Sequence, residues 1–219
     1  MIRFSDIRVI GIYPSLADKL SLLLCIPCMR LDYRLTADTP HCTSDIIACL
    51  NYLSQHYRTK HVVLVGWSFG GSPCLSAAAD EPVRIRGVAT IASQTASTAG
   101  VAMLRPRPLL LLHGTHDTVL APSCSETLYR QYGSTTEADE VEGGSRELRL
   151  LEGGSHGLED HAPEVEGILC AFVARVLGFE SLLCTADVRM QAGWDLVGSV
   201  QERVNEMHMG HDLEGERLV

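Results

Sequence analysis

Val62-Val63-Leu64-Val65-Gly66-Trp67-Ser68-Phe69-Gly70-Gly71 joins a short β-branched run to a G-x-S-x-G pentapeptide. Ser72, Cys74, Leu75, Ala77 and Ala78 follow with helical spacing, so the segment reads as strand, sharp turn and helix. G-x-S-x-G in an arbitrary chain is only a glycine-rich turn; the strand before it and the helix behind it turn it into a nucleophile elbow. A serine at the tip of such a turn holds a strained backbone, and bulky residues in place of the glycines would strike the adjacent strand and helix. The turn exposes the Ser68 hydroxyl and aims the amide of Phe69 at the position where an oxyanion would form.

A serine hydroxyl is a poor nucleophile alone and needs a base, which in turn needs an orienting acid. Leu109-Leu110-Leu111-Leu112 is a buried-strand pattern running into His113-Gly114-Thr115-His116-Asp117, which places Asp117 in a loop past a strand end. Leu148-Arg149-Leu150-Leu151 is another, running into Glu152-Gly153-Gly154-Ser155-His156-Gly157 and placing His156 likewise. In an open parallel sheet the ends of successive strands gather on one edge, where sites form. Ser68, Asp117 and His156 therefore converge although they lie far apart in sequence.

With its stations G-x-S-x-G-G at Gly66, H-G-x-x-D-x-x-V at His113 and G-x-x-H-G at Gly153, in the order Ser, Asp, His, the chain resembles the α/β-hydrolases. It is most similar to their cap-poor branch, typified by dienelactone hydrolase and the prolyl-oligopeptidase-like serine hydrolases, over about residues 7 to 178. The resemblance implies a three-layer α/β/α sandwich with a mostly parallel sheet, and Ser68 as nucleophile, His156 as general base and acid, and Asp117 as the carboxylate that orients the imidazole. Dienelactone hydrolases carry Cys where this chain has Ser68, which disfavours that exact activity.

Other residues compete for these roles. Asp117 also fits a turn residue capping a helix near Pro122. Glu159 and Asp160 are rival acids, but both follow His156 closely and face solvent. His161 is the rival base; His113 and His116 read as structural, and His41, His56, His61, His208 and His211 have no supporting context. No H-E-x-x-H or paired Cys/His spacing suggests a metal, and no cofactor is implied.

The N-terminus departs from the family pattern. Members generally start with extra strands, then one ending in a His-Gly-like loop that supplies a second oxyanion amide. Here Ile7–Ile12 reads as that strand and Tyr13-Pro14-Ser15-Leu16 as the loop. Pro14 has no amide hydrogen, so the donor comes from Tyr13, Ser15 or Leu16. The chain is thus N-terminally minimal, either a natural form or a truncated gene model. A catalytically silent binding protein of the same fold, with a degraded oxyanion loop, is the alternative to an enzyme.

The remaining pattern fits one α/β domain over residues 1–178 and a C-terminal extension of unknown role over 179–219, which carries Trp194 and a loose helical spacing of Val197, Val200, Val204 and Met207. Leu16, Leu20, Leu23 and Leu24 form a helical stripe with Ser15 as N-cap, and Cys25–Arg34 reads as a strand. Thr43 or Ser44 caps a helix bearing Ile46, Ile47, Leu50 and Leu53, Ile85–Ile91 is a strand, and Pro163–Leu177 is a helix stopped by Gly178. Ala92–Pro108 is too short for a lid domain, which implies an open site suited to small-molecule or peptide-like acyl substrates. Gly133–Arg146 reads as a mobile surface loop.

The formal charge of −9, with 18 basic residues in no stripe, argues against nucleic acid and anionic membranes as partners. No apolar run is long enough to span a bilayer and no signal pattern opens the chain. Of eight cysteines, Cys25, Cys49, Cys74 and Cys170 fall on core-facing positions. Cys25-x-x-Cys28 looks like a redox pair but sits in a strand pattern, away from any helix N-terminus that would lower a thiol pKa. A reducing, cytoplasmic location follows.

Overall fold

The computed structural model describes residues 12–35, 37–134 and 144–184. Four parallel strands form the sheet in the order β1 (Val62–Trp67), β2 (Ile85–Ile91), β3 (Leu109–Gly114) and β4 (Arg146–Leu151). Two of the three crossovers carry an α-helix: α3 (Gly71–Asp80) between β1 and β2, and α4 (Ser123–Gln131) between β3 and β4. Helices α1 (Ile12–Leu24) and α2 (Thr39–Tyr57) precede the sheet and α5 (Ala162–Leu177) follows it.

Alternation along the central strands explains the layers. Leu109 and Leu111 of β3 point into a core with Leu75, Ala78, Ile46, Leu50 and Leu128, from α3, α2 and α4. Leu110 and Leu112 point the other way, into a core with Leu16, Leu20, Leu169 and Phe172, from α1 and α5. A strand covered on both faces must be apolar throughout, which is why four consecutive leucines are buried. The result is the expected three-layer α/β/α sandwich around a parallel sheet. Residues 92–108, between β2 and β3, hold only the 3-10 turn Ala99–Met103. No helix among the described residues is long and apolar enough to cross a membrane.

The first helix begins earlier than the leucine stripe predicts. Ile12 starts α1, so Tyr13, Pro14 and Ser15 lie in its first turn and not in a loop. First-turn N–H groups have no intrahelical acceptor, so Pro14 loses nothing there and its fixed φ favours the helix. Ser15 is buried, and its Oγ meets no partner among the described residues; it is no N-cap. Residues 7–11 of the expected strand lie outside the described residues, as do 185–219 of the C-terminal segment and 135–143 of the acidic loop.

Residues 25–33 carry no strand, against expectation. Cys25 has a left-handed φ of 53° and the Ile26 N–H reaches back to the Leu20 carbonyl at 2.9 Å, which makes the start of this segment the C-terminal stop of α1. Ile26 then packs on the α1/α5 core while Leu31 and Tyr33 pack on the opposite one. Its apolar alternation is therefore used for packing, with no ladder beside it among the described residues. Cys25 and Cys28 are exposed and Cys49 is half-buried, whereas Cys74 and Cys170 are buried as expected. Although the residue is exposed as a whole, the Cys28 Sγ donates to the Ile26 carbonyl at 3.5 Å in a part-buried position, and desolvation there, with Asp18 adding to it, pushes the thiol up to about 11.

Helix α2 is capped by Asp38, whose side chain accepts from the His41 N–H at 3.0 Å, and not by Thr43 or Ser44. Those two hydroxyls donate back to the carbonyls of Thr39 and Pro40 inside the helix. The earlier start again follows from a proline in the first turn, Pro40. Helix α5 runs from Ala162 and ends at Gly178, whose φ of 81° stops it as the sequence predicts.

One charged contact lies deep between α1 and α5. Lys19 Nζ donates to Glu166 Oε2 at 2.5 Å, and both side chains are almost wholly buried. Pairing is what permits either charge there.

Candidate active site

Strand β1 ends at Trp67 in extended geometry, and the chain then turns sharply through Ser68, whose φ is 52°. A 3-10 turn, Ser68–Gly70, leads directly into α3. The tightness of this turn is visible at Gly66: a Cβ there would lie 2.4 Å from the Gly70 carbonyl oxygen. A Cβ at Gly71 would lie 2.1 Å from Ser93 Oγ, whereas one at Gly70 would meet nothing within 4 Å. Gly66 and Gly71 are thus required by space, and Gly70 is not.

Asp117 stands three residues past the end of β3. Its Oδ1 accepts the N–H groups of Val119 at 2.8 Å and Leu120 at 2.9 Å. Its Oδ2 accepts from His156 Nδ1 at 2.7 Å. Burial pushes this carboxyl up, yet the Leu120 and Val119 amides and the His156 imidazole outweigh it and hold Asp117 below the ordinary carboxylate value. His156 lies past the end of β4, and its Nε2 is 3.0 Å from Ser68 Oγ. A carboxylate oxygen only accepts, so the Nδ1 proton faces Asp117 and Nε2 is left to accept the Ser68 hydroxyl proton. The side chain of Asp117 is fully buried and that of His156 is 13% exposed.

The loops carrying Asp117 and His156 are laced together. Thr115 N–H donates to the Leu151 carbonyl and His116 N–H to the Gly154 carbonyl, each at 2.9 Å, and Gly153 N–H donates to Thr115 Oγ1 at 2.8 Å. Gly114 allows this approach, since a Cβ there would sit 2.1 Å from the Gly154 carbonyl oxygen.

Two residues beyond the expected set join the cluster. His113 is buried, and its Nε2 faces the Leu120 carbonyl at 2.9 Å and Asp117 Oδ2 at 3.1 Å. Two acceptors require the proton on Nε2, so Nδ1 accepts from Ser125 Oγ at 2.7 Å. His113 therefore braces the carboxylate; its spacing of four from Asp117 was the available signal. Trp67 donates from Nε1 to the main-chain carbonyl of His156 at 3.0 Å.

The rivals lie elsewhere. His161 Nε2 donates to the Glu152 carbonyl, Glu159 accepts from Ser155 Oγ, and Asp160 is exposed.

Residues 32–111 match the family model described as alpha/beta hydrolase fold. The esterase domain of a Rhodothermus marinus protein is 20% identical, with a TM-score of 0.56 over 74% of this chain and 80% of that one. Est1E from Butyrivibrio proteoclasticus is 16% identical, with a TM-score of 0.62 over 81% and 85%. Dienelactone hydrolase from Anabaena variabilis is 20% identical, with a TM-score of 0.54 over 65% and 62%. The chain has the α/β-hydrolase fold. No curated protein matches it in sequence.

Within this α/β-hydrolase fold, the expected oxyanion residues fare differently. Phe69 follows Ser68 in the 3-10 turn. Tyr13 and Ser15 belong to the first turn of α1, so the loop expected to present their amides is helical. The Tyr13 hydroxyl is nevertheless close to the elbow. Burial and the neighbouring Cys74 push it up, while the main-chain N–H of Trp67 opposes them.

Proposed function

We propose that the chain is a serine hydrolase that cleaves a small ester, thioester or amide through an acyl-enzyme on Ser68. The continuous relay from Ser68 Oγ through His156 to Asp117 carries this reading. His156 takes the Ser68 proton as the hydroxyl attacks the acyl carbon. It then gives that proton to the leaving group. Asp117, fixed by two amides and His113, holds the imidazole in the required tautomer and faces the imidazolium as it forms. Water enters next and loses a proton to His156 as it attacks the acyl carbon; His156 returns that proton to Ser68 Oγ as the acyl–oxygen bond breaks and the acid leaves.

The Phe69 amide supplies one oxyanion donor in this reading. The second would come from the main chain of the first turn of α1, which carries Tyr13 and Ser15. The short β2–β3 connection leaves no lid domain, which favours small or chain-terminal acyl groups. Residues 1–178 form the hydrolase unit, bounded by the Gly178 stop of α5, and 179–219 an extension. Seven free cysteines among the described residues fit a reducing, cytoplasmic setting.

The test is a stopped-flow assay with short-chain p-nitrophenyl esters. A burst of about one nitrophenolate per chain, followed by slower turnover, is the result expected of an acyl-enzyme. Absence of both burst and turnover across acetyl, butyryl and aminoacyl substrates favours the silent binding-protein reading, in which the helical Tyr13-Pro14-Ser15 segment supplies no second oxyanion amide.

A further inference from the structure

Three contacts locate His156: Asp117 at Nδ1, Ser68 at Nε2 and Trp67 at the main chain. The third has no counterpart in the expected set of site residues. The Trp67 indole also lies against the imidazole itself, with ring centroids 4.9 Å apart and planes inclined by 54°. The same side chain therefore holds both the backbone and the ring of His156.

We propose that Trp67 is the positioning residue for His156, tying the strand that carries Ser68 to the loop that carries the imidazole. This rests on the serine-hydrolase reading of the site. Simple core filling does not account for the geometry. Trp67 does pack on the α1/α5 core as a half-buried side chain. Filling, however, needs neither its single N–H on the His156 carbonyl nor its ring beside the imidazole.

The loop explains why such a clamp is needed. His156 is flanked by Gly153, Gly154 and Gly157, and Gly153 takes a φ of 74°. Glycines leave the backbone free to move. The bonds from Thr115 and His116 pin residues up to Gly154, but His156 itself lies beyond them. A donor rooted in β1, one residue before Ser68, fixes the base relative to the nucleophile and not merely relative to its own loop. The indole face also favours a neighbouring cation, which the imidazole becomes during attack.

The proposal separates ring from donor. Trp67→Phe keeps an aromatic ring and removes the N–H; Trp67→Leu removes both. With a p-nitrophenyl ester, kcat should fall about fivefold in the first and about 10²-fold in the second, with KM within about twofold, as for a misplaced reacting group. The readout independent of turnover is the downfield proton resonance of His156 Nδ1–H, recorded beside Ser68→Ala. It should be sharp in wild type and in Trp67→Phe, and exchange-broadened or lost in Trp67→Leu. Trp67→Phe keeps an aromatic ring in a smaller volume and is the variant to rely on if Trp67→Leu does not fold. Wild-type kcat in folded Trp67→Phe overturns the clamp, and so does a resonance unchanged in folded Trp67→Leu. If the wild type proves inert toward esters and fluorophosphonates, the hydrolase reading fails, and the resonance alone then decides whether Trp67 holds His156.

Discussion

Replacing Gly66 by alanine should damage both stability and the nucleophile. The new Cβ would lie 2.4 Å from the Gly70 oxygen, 2.6 Å from its carbonyl carbon and 2.9 Å from Gly71 N. All three are backbone atoms, so no side chain can swing aside. The closest contact is about 1 Å short of van der Waals separation, so the 3-10 turn must move by a comparable distance. Overpacking of this kind costs about 1–3 kcal/mol, which in a domain of this size lowers Tm by roughly 2–12 °C. Because Ser68 opens that turn, a shift of about 1 Å should also slow its reaction with a fluorophosphonate by about 10²-fold. Gly70→Ala is the control: its φ of −58° and ψ of −19° suit alanine, and nothing lies within 4 Å of the new carbon. It should melt within about 2 °C of wild type and label normally. Thermal melts with timed intact-mass labelling read both effects. Gly66→Ala with wild-type Tm and labelling, or Gly70→Ala as damaged as Gly66→Ala, would refute the steric reasoning.

Breaking the Lys19–Glu166 pair should be costly when one partner is left behind and not when both are replaced. Lys19→Met leaves Glu166 buried and unpaired, at about 3–5 kcal/mol or roughly 6–20 °C in Tm, whereas Lys19→Met with Glu166→Leu should melt near wild type or above. For Asp117 the folded-state pKa is depressed, so its stabilisation is complete above about pH 4 and lost as pH falls through the lowered value. Melts from pH 6 to pH 3 should therefore fall less steeply in Asp117→Asn than in wild type, and its ester turnover should drop by about 10⁴-fold. With its thiol raised to about 11, Cys28 should react with iodoacetamide at pH 7.5 on the order of 10²-fold more slowly than free cysteine. Fast alkylation mapped to Cys28 by peptide mass would restore interest in the Cys25/Cys28 redox pair.

Much of this arrangement is legible in the sequence because it depends on local pattern. Leu109–Leu112 cannot be exposed on either face, and a G-x-S-x-G behind Val62–Val65 has few alternatives to a strand-to-helix elbow. Strand ends then placed Asp117 and His156 near Ser68. What was not legible depends on partners. Residues 25–33 have the alternation of a strand, but a strand exists only where a neighbour pairs with it. Tyr13-Pro14-Ser15 looks like a loop because proline usually interrupts helices, yet in a first turn it interrupts nothing. The contacts of Trp67 and His113 are tertiary, spanning β1, β3 and the loop after β4. Only the four-residue spacing of His113 from Asp117 hinted at either.

A serine nucleophile activated by His156 is tested most directly by covalent labelling. Purified protein is exposed to a fluorophosphonate beside Ser68→Ala and His156→Ala, each shown to be folded, and read by intact mass. An activated serine predicts one adduct on the wild type, none on Ser68→Ala, and at least about a 10³-fold slower reaction on His156→Ala. A folded wild type that takes up no label, or a Ser68→Ala protein that labels as fast as wild type, would contradict it.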